Sequence, residues 1–253
     1  GSIIGSVATI ASEKLSNRPS ANVADALQGQ VAGLQVFTSS GEPSASVSMR
    51  LRGVSSINAS TTPLFILDGA PVSSDVFNTL NPSDIENISV LKDASSTAIY
   101  GSRAANGVVY ITTKKGRGNR PTVTIKGQYG FSQLAQNKLS PMNSEQYLNF
   151  QEMLDPSLKN NEAFQADKAY TLKHGIYTDW LDYVAKNNAP TYQIDMSISG
   201  VTNTTNYYIS ASHLDQEGIM PRSGTKRESF RSNIETKLNE WLKVGANVGL
   251  AYQ

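Results

Sequence analysis

The chain has no cysteine, only two histidines (His174 and His213) and almost no net charge, with 22 Lys and Arg against 21 Asp and Glu over 253 residues. Lack of cysteine excludes a disulfide scaffold and thiolate metal sites, and two imidazoles argue against a histidine-rich metal centre. A formal charge of +1 gives no nucleic-acid signal. The short basic run Lys114, Lys115, Arg117 and Arg120 is broken by Gly116 and Gly118 and reads as a solvated linker in preference to a phosphate-binding patch. No apolar run is long enough for a transmembrane helix or a signal peptide. An exported chain is made with a signal, so the sequence is expected to be mature or truncated. Enzyme signatures are missing as well. Ser89-Val90-Leu91-Lys92 has S-x-x-K spacing but no K-T-G partner, and it falls in a predicted strand rather than at a helix start. There is no G-x-S-x-G elbow, full phosphate loop or H-E-x-x-H. Asp68, Asp75, Asp84 and Glu86 are scattered through predicted turns, and no glycosidase-like pair stands out. We expect no catalytic residue, no cofactor and no metal.

What the second half does contain is alternation with period two in five stretches. Thr122–Phe131 sets Val123, Ile125, Tyr129 and Phe131 against Thr122, Thr124, Lys126 and Gln128. Tyr192–Gly200 sets Tyr192, Ile194, Met196 and Ile198 against Gln193, Asp195, Ser197 and Ser199. Thr204–Leu214 sets Tyr207, Ile209 and Ala211 against Tyr208, Ser210 and Ser212. Glu228–Leu238 sets Phe230, Ile234 and Leu238 against Ser229, Arg231, Asn233, Glu235 and Lys237, and Trp241–Tyr252 sets Leu242, Val244, Ala246, Val248, Leu250 and Tyr252 against Lys243, Gly245 and Asn247. Successive strand side chains point to opposite faces, so each stretch makes one apolar and one polar face.

Two architectures share this pattern. A soluble antiparallel sheet alternates because one face packs on a core. An outer-membrane barrel alternates because one face meets lipid and the other an aqueous lumen, in segments of roughly ten residues. The connections favour the barrel. A long excursion (132–190), a short turn (201–203), a loop of middling length (215–227) and a very short turn (239–240) alternate as extracellular loops and periplasmic turns do. Tyr129, Phe131, Tyr192, Trp241 and Tyr252 near strand ends fit interfacial girdles. Within the five stretches every Lys and Arg lies on the polar side, and a cation on the lipid face at the midplane costs about 2–4 kcal/mol. His213 and Glu228 interrupt the apolar sets, in this reading only at strand ends.

The first half differs. Apolar runs at 31–37, 47–51, 64–67, 85–91 and 108–112 are bounded by Gly, Pro, Asn and Ser and predict strands of a small mixed sheet. Asn22 can cap a helix that ends at Gly29, and 93–100 can form another ending at Gly101. Asp68-Gly69 before Pro71 predicts a turn. The fold class expected is an α+β domain followed by antiparallel strands of an incomplete transmembrane β-barrel.

Three stretches carry a family resemblance: NVADALQGQVAGLQV (22–36), RGVSSINASTTPLFILDGA (52–70) and LNPSDIENISVLKDASSTAIYGSRAANGVVYITTKKG (80–116). They resemble the plug domain of the SusC/RagA family, the TonB-dependent outer-membrane transporters of Bacteroidetes, and the later strands are similar to the opening strands of that family's barrel. The resemblance implies a lead-in segment at 1–19, a plug domain at 20–116 and the first wall strands at 117–253, in a barrel of about 22 strands whose lumen is closed by a domain. It also implies residence in the Gram-negative outer membrane and import of oligosaccharides, peptides or other bulky nutrients. The partners implied are a SusD-like surface lipoprotein, the TonB complex, the lipid bilayer and the nutrient itself, with no nucleic acid. Relative to that pattern the chain begins close to the plug and stops after about five strands. A fragment without the TonB-interacting segment is therefore expected, one unable to transport alone because open strand edges are not viable in hydrocarbon. The alternative is a soluble surface module that binds glycans or proteins through its sheet.

Arg52, Gly53, Asp68, Gly69, Gly101, Arg103, Asn106 and Gly107 match plug-motif positions, with backbone roles expected for the glycines and stabilising or wall-binding roles for Arg103 and Asn106. Lys126, Gln128, Asp195, Arg231, Asn233, Glu235 and Lys243 are the candidate plug–wall or lumen contacts, the competing reading being that they only line a hydrated wall. The segment 132–190 is too long for a plain turn. It is expected to lie outside the cell and to hold one helix capped by Asn143 or Ser144 and another capped by Thr178. Its aromatics Tyr170, Tyr177, Trp180 and Tyr183 are candidates for sugar or lipoprotein contact, though most are expected to pack the loop on itself. Substrate-contacting residues are not identifiable from the sequence.

Overall fold

The computed structural model describes residues 7–16, 22–43, 45–51, 61–92, 98–134 and 141–253. The expectations for Arg52, Gly53 and the helix start at 93–97 lie outside them. The chain forms two compact units, one made of 1–131, 190–218 and 223–253 and the other of 132–189 and 219–222.

The first part of the larger unit runs β1 (Val7–Ala11), α1 (Ser12–Ser16), α2 (Val23–Leu27), β2 (Leu34–Thr38), β3 (Val47–Leu51), β4 (Leu64–Leu67), β5 (Ala70–Val72) and α3 (Ser74–Thr79). A 3-10 turn at Pro82–Asp84, β6 (Ile85–Leu91), a 3-10 segment at Ala98–Ala104 and β7 (Val108–Thr113) follow. The sheet order is β1-β6-β7-β4-β5, with β4 and β7 parallel and the other neighbours antiparallel, while β2 and β3 form a separate hairpin. Apolar residues set this arrangement. Ile85, Ile88 and Val90 of β6 and Val109 and Ile111 of β7 pack against Val23 and Leu27 of α2 and Phe77 of α3, all essentially sealed from solvent, each worth about 1.5–3 kcal/mol on burial. Phe77 stacks on Phe65 with ring centroids 4.6 Å apart. Asn22 caps α2 by accepting from the Ala24 N–H at 2.9 Å. Asp68 and Gly69 both have positive φ (48° and 92°) and join Leu67 to its partner Ala70, the two-residue hairpin loop that strand twist favours. Gly101 ends the first helical turn as expected, leaving helical geometry at φ 68°, ψ −157°, and a second short 3-10 turn follows it.

The second part of the same unit is an antiparallel meander, ordered β12-β11-β10-β9-β8. Its strands are β8 (Thr122–Ser132), β9 (Ala189–Val201), β10 (Thr205–Glu217), β11 (Gly224–Lys237) and β12 (Lys243–Tyr252). One expected boundary is corrected. The loop read at 215–227 shrinks to 218–223, because Leu214–Arg227, Asp215–Lys226 and Gln216–Thr225 continue the register. Sequence polarity hid this, since the charges at Asp215 and Lys226 satisfy each other across the strands at 2.8 Å. His213 and Glu228 are consequently inside the strands rather than at their ends, directly opposite one another and bonded at 2.5 Å. Opposite groups paired across strands stabilise the face they share. Lys226 shares the outward parity of Glu228 and Phe230, an exception to the rule that the cations lie on the polar side.

The polarity of this sheet is inverted. Val123, Ile125, Ile194, Ile198, Val244 and Val248 are between 38 and 67 % exposed, whereas Gln193, Asp195, Ser210, Arg231 and Asn233 on the opposite face are at most 8 % exposed. A soluble one-sided sheet would show the reverse. Among the described residues no helix is long and apolar enough to cross a membrane.

The smaller unit holds α4 (Ser144–Leu154), a 3-10 turn at Pro156–Asn160, α5 (Glu162–Lys173) and α6 (Trp180–Val184). Asn143 caps α4 in a full capping box with Gln146, as its position predicts. α5 is an addition to the two helices expected in this segment, since its weak apolar stripe gives no periodic signal. Asn161 caps it by accepting from the Phe164 N–H at 3.1 Å. Glu152 ties α4 to α5 by accepting from Gln165 at 2.7 Å and pairing with Lys168 at 2.9 Å.

The Gln165 hydrogen bond, then Lys168, hold the Glu152 carboxyl below its ordinary value of 4.5. A depressed carboxylate stabilises the fold above the unfolded value and ceases to as pH falls through the folded one. Hydrogen exchange in α4 and α5 should therefore quicken below pH 4.5, and Glu152→Gln should reduce that acid dependence.

Candidate functional site

The polar face of β9, β10 and β11 is seated against the first domain by side chains rather than by grease. On the domain side the seat is the 3-10 turn, where Asn81 caps the turn by accepting from the Ser83 N–H at 2.9 Å and Pro82 fixes its first residue. Asn81 also donates to Asp195 at 2.7 Å and Ser83 donates to the other Asp195 oxygen at 3.0 Å, which Gln193 reaches at 2.9 Å. Asp84, two residues on from Pro82, accepts from Tyr208 at 2.9 Å and Ser210 at 2.5 Å, with Arg231 Nε 3.7 Å from its second oxygen. Register explains the convergence. Ser210 lies opposite Arg231 and Tyr208 opposite Asn233, so one patch of wall presents hydroxyls, a guanidinium and an amide together. Gly249, opposite Arg231, leaves room for its guanidinium, which a Cβ there would approach to 3.1 Å.

A second seam follows the chain out of β7. Asp68 accepts from the Thr113 N–H at 2.8 Å and the Thr113 hydroxyl at 2.6 Å, which leaves that hydroxyl's lone pairs facing the wall. Asn233 donates to the Thr113 hydroxyl and to the Lys114 carbonyl, both at 2.8 Å. A Cβ on Gly116 would sit 2.2 Å from the Gly200 carbonyl and 2.5 Å from that of Tyr207, so only glycine allows this approach. Val201 N–H then donates to the Gly118 carbonyl at 3.0 Å.

Of the sequence-derived candidates, Asp195, Arg231 and Asn233 meet the domain directly, and Asp68 acts through Thr113. Glu235 lies 4.0 Å from Lys115 and 3.8 Å from Lys243. Lys126 lines a cavity at the seat, while Gln128 is exposed on the same strand face. Away from the wall, Gly69 occupies its turn, Arg103 is exposed and Asn106 reaches the Thr62 carbonyl at 3.5 Å. Gly107 has φ 91°, and a Cβ there would press on the Leu91 carbonyl at 3.1 Å. Asn81, Ser83, Asp84 and Thr113 were missed as contacts. Tyr208 and Ser210 had already been placed on the wet face by their period, but no local signal says which lumen residues meet a partner. Arg227, which the sequence places in a loop, lies in β11 and is 2 % exposed on the same wall face.

A family model, the TonB-dependent Receptor Plug Domain, matches residues 2–108. TonB-dependent receptor SusC of Bacteroides thetaiotaomicron is 34% identical over 238 residues, 91% of this chain and 22% of the relative. TonB-dependent receptor P26 of Formosa agariphila is 36% identical over 258 residues, 99% of this chain and 25% of the relative. The RagAB peptide importer in its open-open state superposes with a TM-score of 0.85 at 44% identity, covering 98% of this chain and 30% of that one. The chain belongs to the SusC/RagA family of TonB-dependent receptors. The first domain is the plug, the β8–β12 sheet is barrel wall, and the protein resides in the Gram-negative outer membrane. The siderophore receptor PirA of Pseudomonas aeruginosa, 18% identical with a TM-score of 0.59, shares the fold alone. This SusC/RagA chain spans about a quarter of the length of the curated relatives it matches.

Burial raises the Asp84 carboxyl above its ordinary value of 3.8, against the hydrogen bond from Ser210 and the charge of Arg231. Burial, then the charge of Lys126, lowers the Lys114 ammonium below 10.5. A raised carboxyl binds protons in the folded state that the unfolded chain has released, so the stability it confers is full below 3.8 and is lost as pH rises through the folded value. Urea unfolding in a pH series should show this loss as pH rises above 3.8, and Asp84→Asn should flatten it. Asn233→Ala, which leaves the Lys114 carbonyl and the Thr113 hydroxyl short of a donor, should cost about 1–3 kcal/mol in the same assay.

Proposed function

We propose that this chain is the stopper and adjoining wall of an importer that brings oligosaccharides or peptides across the outer membrane, driven by TonB and lidded by a SusD-like lipoprotein. It is a binding and gating element and not an enzyme. One observation carries the reading: a sheet whose apolar face is bare and whose polar face is pressed on a self-contained domain. Such a sheet is stable with hydrocarbon outside and a polar stopper inside.

The seat suits a stopper that has to be released. A hydrogen bond nets only about 0.5–1.5 kcal/mol, or about 1.5–3 where one partner is charged, because water replaces the lost partner, and Asn81, Ser83, Thr113, Tyr208 and Ser210 are all groups that water can satisfy. The plug core, by contrast, is apolar and holds together by itself. Pulling therefore has a weak plane to act on, the plane between plug and wall. Relatives support the substrate class at the level of their names, one of the matching structures being a peptide importer. The exposed aromatics Tyr170, Tyr177, Trp180 and Tyr183 of the helical loop are proposed contacts for the lipoprotein or the nutrient.

A paired-cysteine cross-link gives a direct test, and this stretch of the receptor has no cysteine of its own to compete. With S83C and D195C introduced into the complete receptor, a short bis-maleimide should fasten plug to wall and stop uptake, while each single variant treated alike continues to import. Uptake that persists after full cross-linking would refute a moving plug. Deleting the receptor gene and growing the strain on a panel of glycans and peptides should abolish growth on the imported compound alone.

A further inference from the structure

We propose that the cavity between the plug turn and the β8–β10 face is a binding site for carboxylate groups, which, on the import reading above, makes acidic oligomers the preferred cargo. The cavity holds about 350 Å³ and is lined by both plug and wall. Four cations, Lys114, Lys115, Arg117 and Lys126, share its lining with three carboxylates, Asp84, Glu86 and Asp195, which leaves one positive charge in excess. Asp195 is occupied by Asn81, Ser83 and Gln193, and Asp84 by Tyr208, Ser210 and the nearby Arg231. Glu86 is held by Arg117 at 2.5 Å, and Lys115, which also lines the cavity, lies 4.0 Å from Glu235.

Two cations remain. Lys114 donates only to a neutral acceptor, the Ser83 carbonyl, at 2.7 Å. Lys126 makes no hydrogen bond or ion pair among the described residues and repels Lys114 across the space, one of the causes that lower the Lys114 ammonium. The hydroxyls of Thr124, Ser197 and Ser199 line the same wall. Two ammonium groups lining one cavity, with hydroxyl donors beside them, are what a carboxylate accepts from. A bound anion removes the repulsion between the two lysines, whereas a neutral sugar or amide leaves it in place. The carboxylate can belong to a polypeptide or to a uronic acid, since both present the same group.

Calorimetric titration of the complete purified receptor separates these sources. The probes are oligoglutamate and oligogalacturonate, each beside a neutral counterpart, C-terminally amidated oligoglutamine and oligogalactose. At least one acidic probe should bind more tightly than its counterpart. Lys126→Gln should weaken that probe about three- to ten-fold, and Lys126→Arg should retain it. Equal affinity for acidic and neutral probes, or indifference of the acidic probe to Lys126→Gln, overturns the site. Uptake of the same probes by cells judges the import reading separately. Binding through Lys126 without uptake refutes import and leaves the site standing, and uptake blind to charge and to Lys126→Gln does the opposite.

Discussion

Hydrocarbon cannot hydrogen-bond, and that one property organises this molecule. Strands that face lipid must satisfy every backbone group through their neighbours and show mainly apolar side chains outward, any charge there being paired across strands as Asp215 is with Lys226. Period-two geometry then leaves no choice about the other face. Whatever fills the bore meets Gln193, Asp195, Ser210, Arg231 and Asn233, so the plug must be polar where it touches and apolar only within. Val123, Ile125 and Val248 bare on one side, and Asp195 and Asn233 covered on the other, are two results of the same demand.

Two scales of cohesion follow inside one chain. The plug core, built on Ile85, Ile88, Val109, Ile111 and Phe77, gains from burial of apolar surface that water does not replace. The seat gains only the difference between a protein partner and a water partner. Asp84 shows how finely this is set, because burial of its charge outweighs the help of Ser210, Tyr208 and Arg231. A tighter seat was chemically available, since replacing buried ion pairs with apolar residues is often neutral or stabilising. A seat held by hydrogen bonds and partly compensated charge fits a plug that remains folded while it moves, as proposed above.

Much of the architecture was readable in the chain because alternation survives without tertiary knowledge. The outward set from Val123 to Val248 and the inward set from Asp195 to Asn233 follow from residue parity alone. The hairpin at Asp68-Gly69 and the cap at Asn143 follow from local chemistry. Where charge pairs across strands, the sequence misleads, since Asp215, Lys226, His213 and Glu228 look like loop or strand-end residues until their partners are known. The seat itself was half legible. Parity put Tyr208 and Ser210 in the lumen, but the turn that meets them, Asn81 to Asp84, carries no periodic mark, and its role depends on two elements more than a hundred residues apart.

Gly116 lies where the chain passes from β7 into the wall, pressed so closely on the carbonyls of Gly200 and Tyr207 that no side chain fits. Stopper and bore are thus joined by a few residues of backbone. A tether that short keeps a dislodged domain at an effective concentration on the order of millimolar beside its own socket. Individually feeble bonds then suffice for recapture, because reunion is intramolecular and needs no chance encounter.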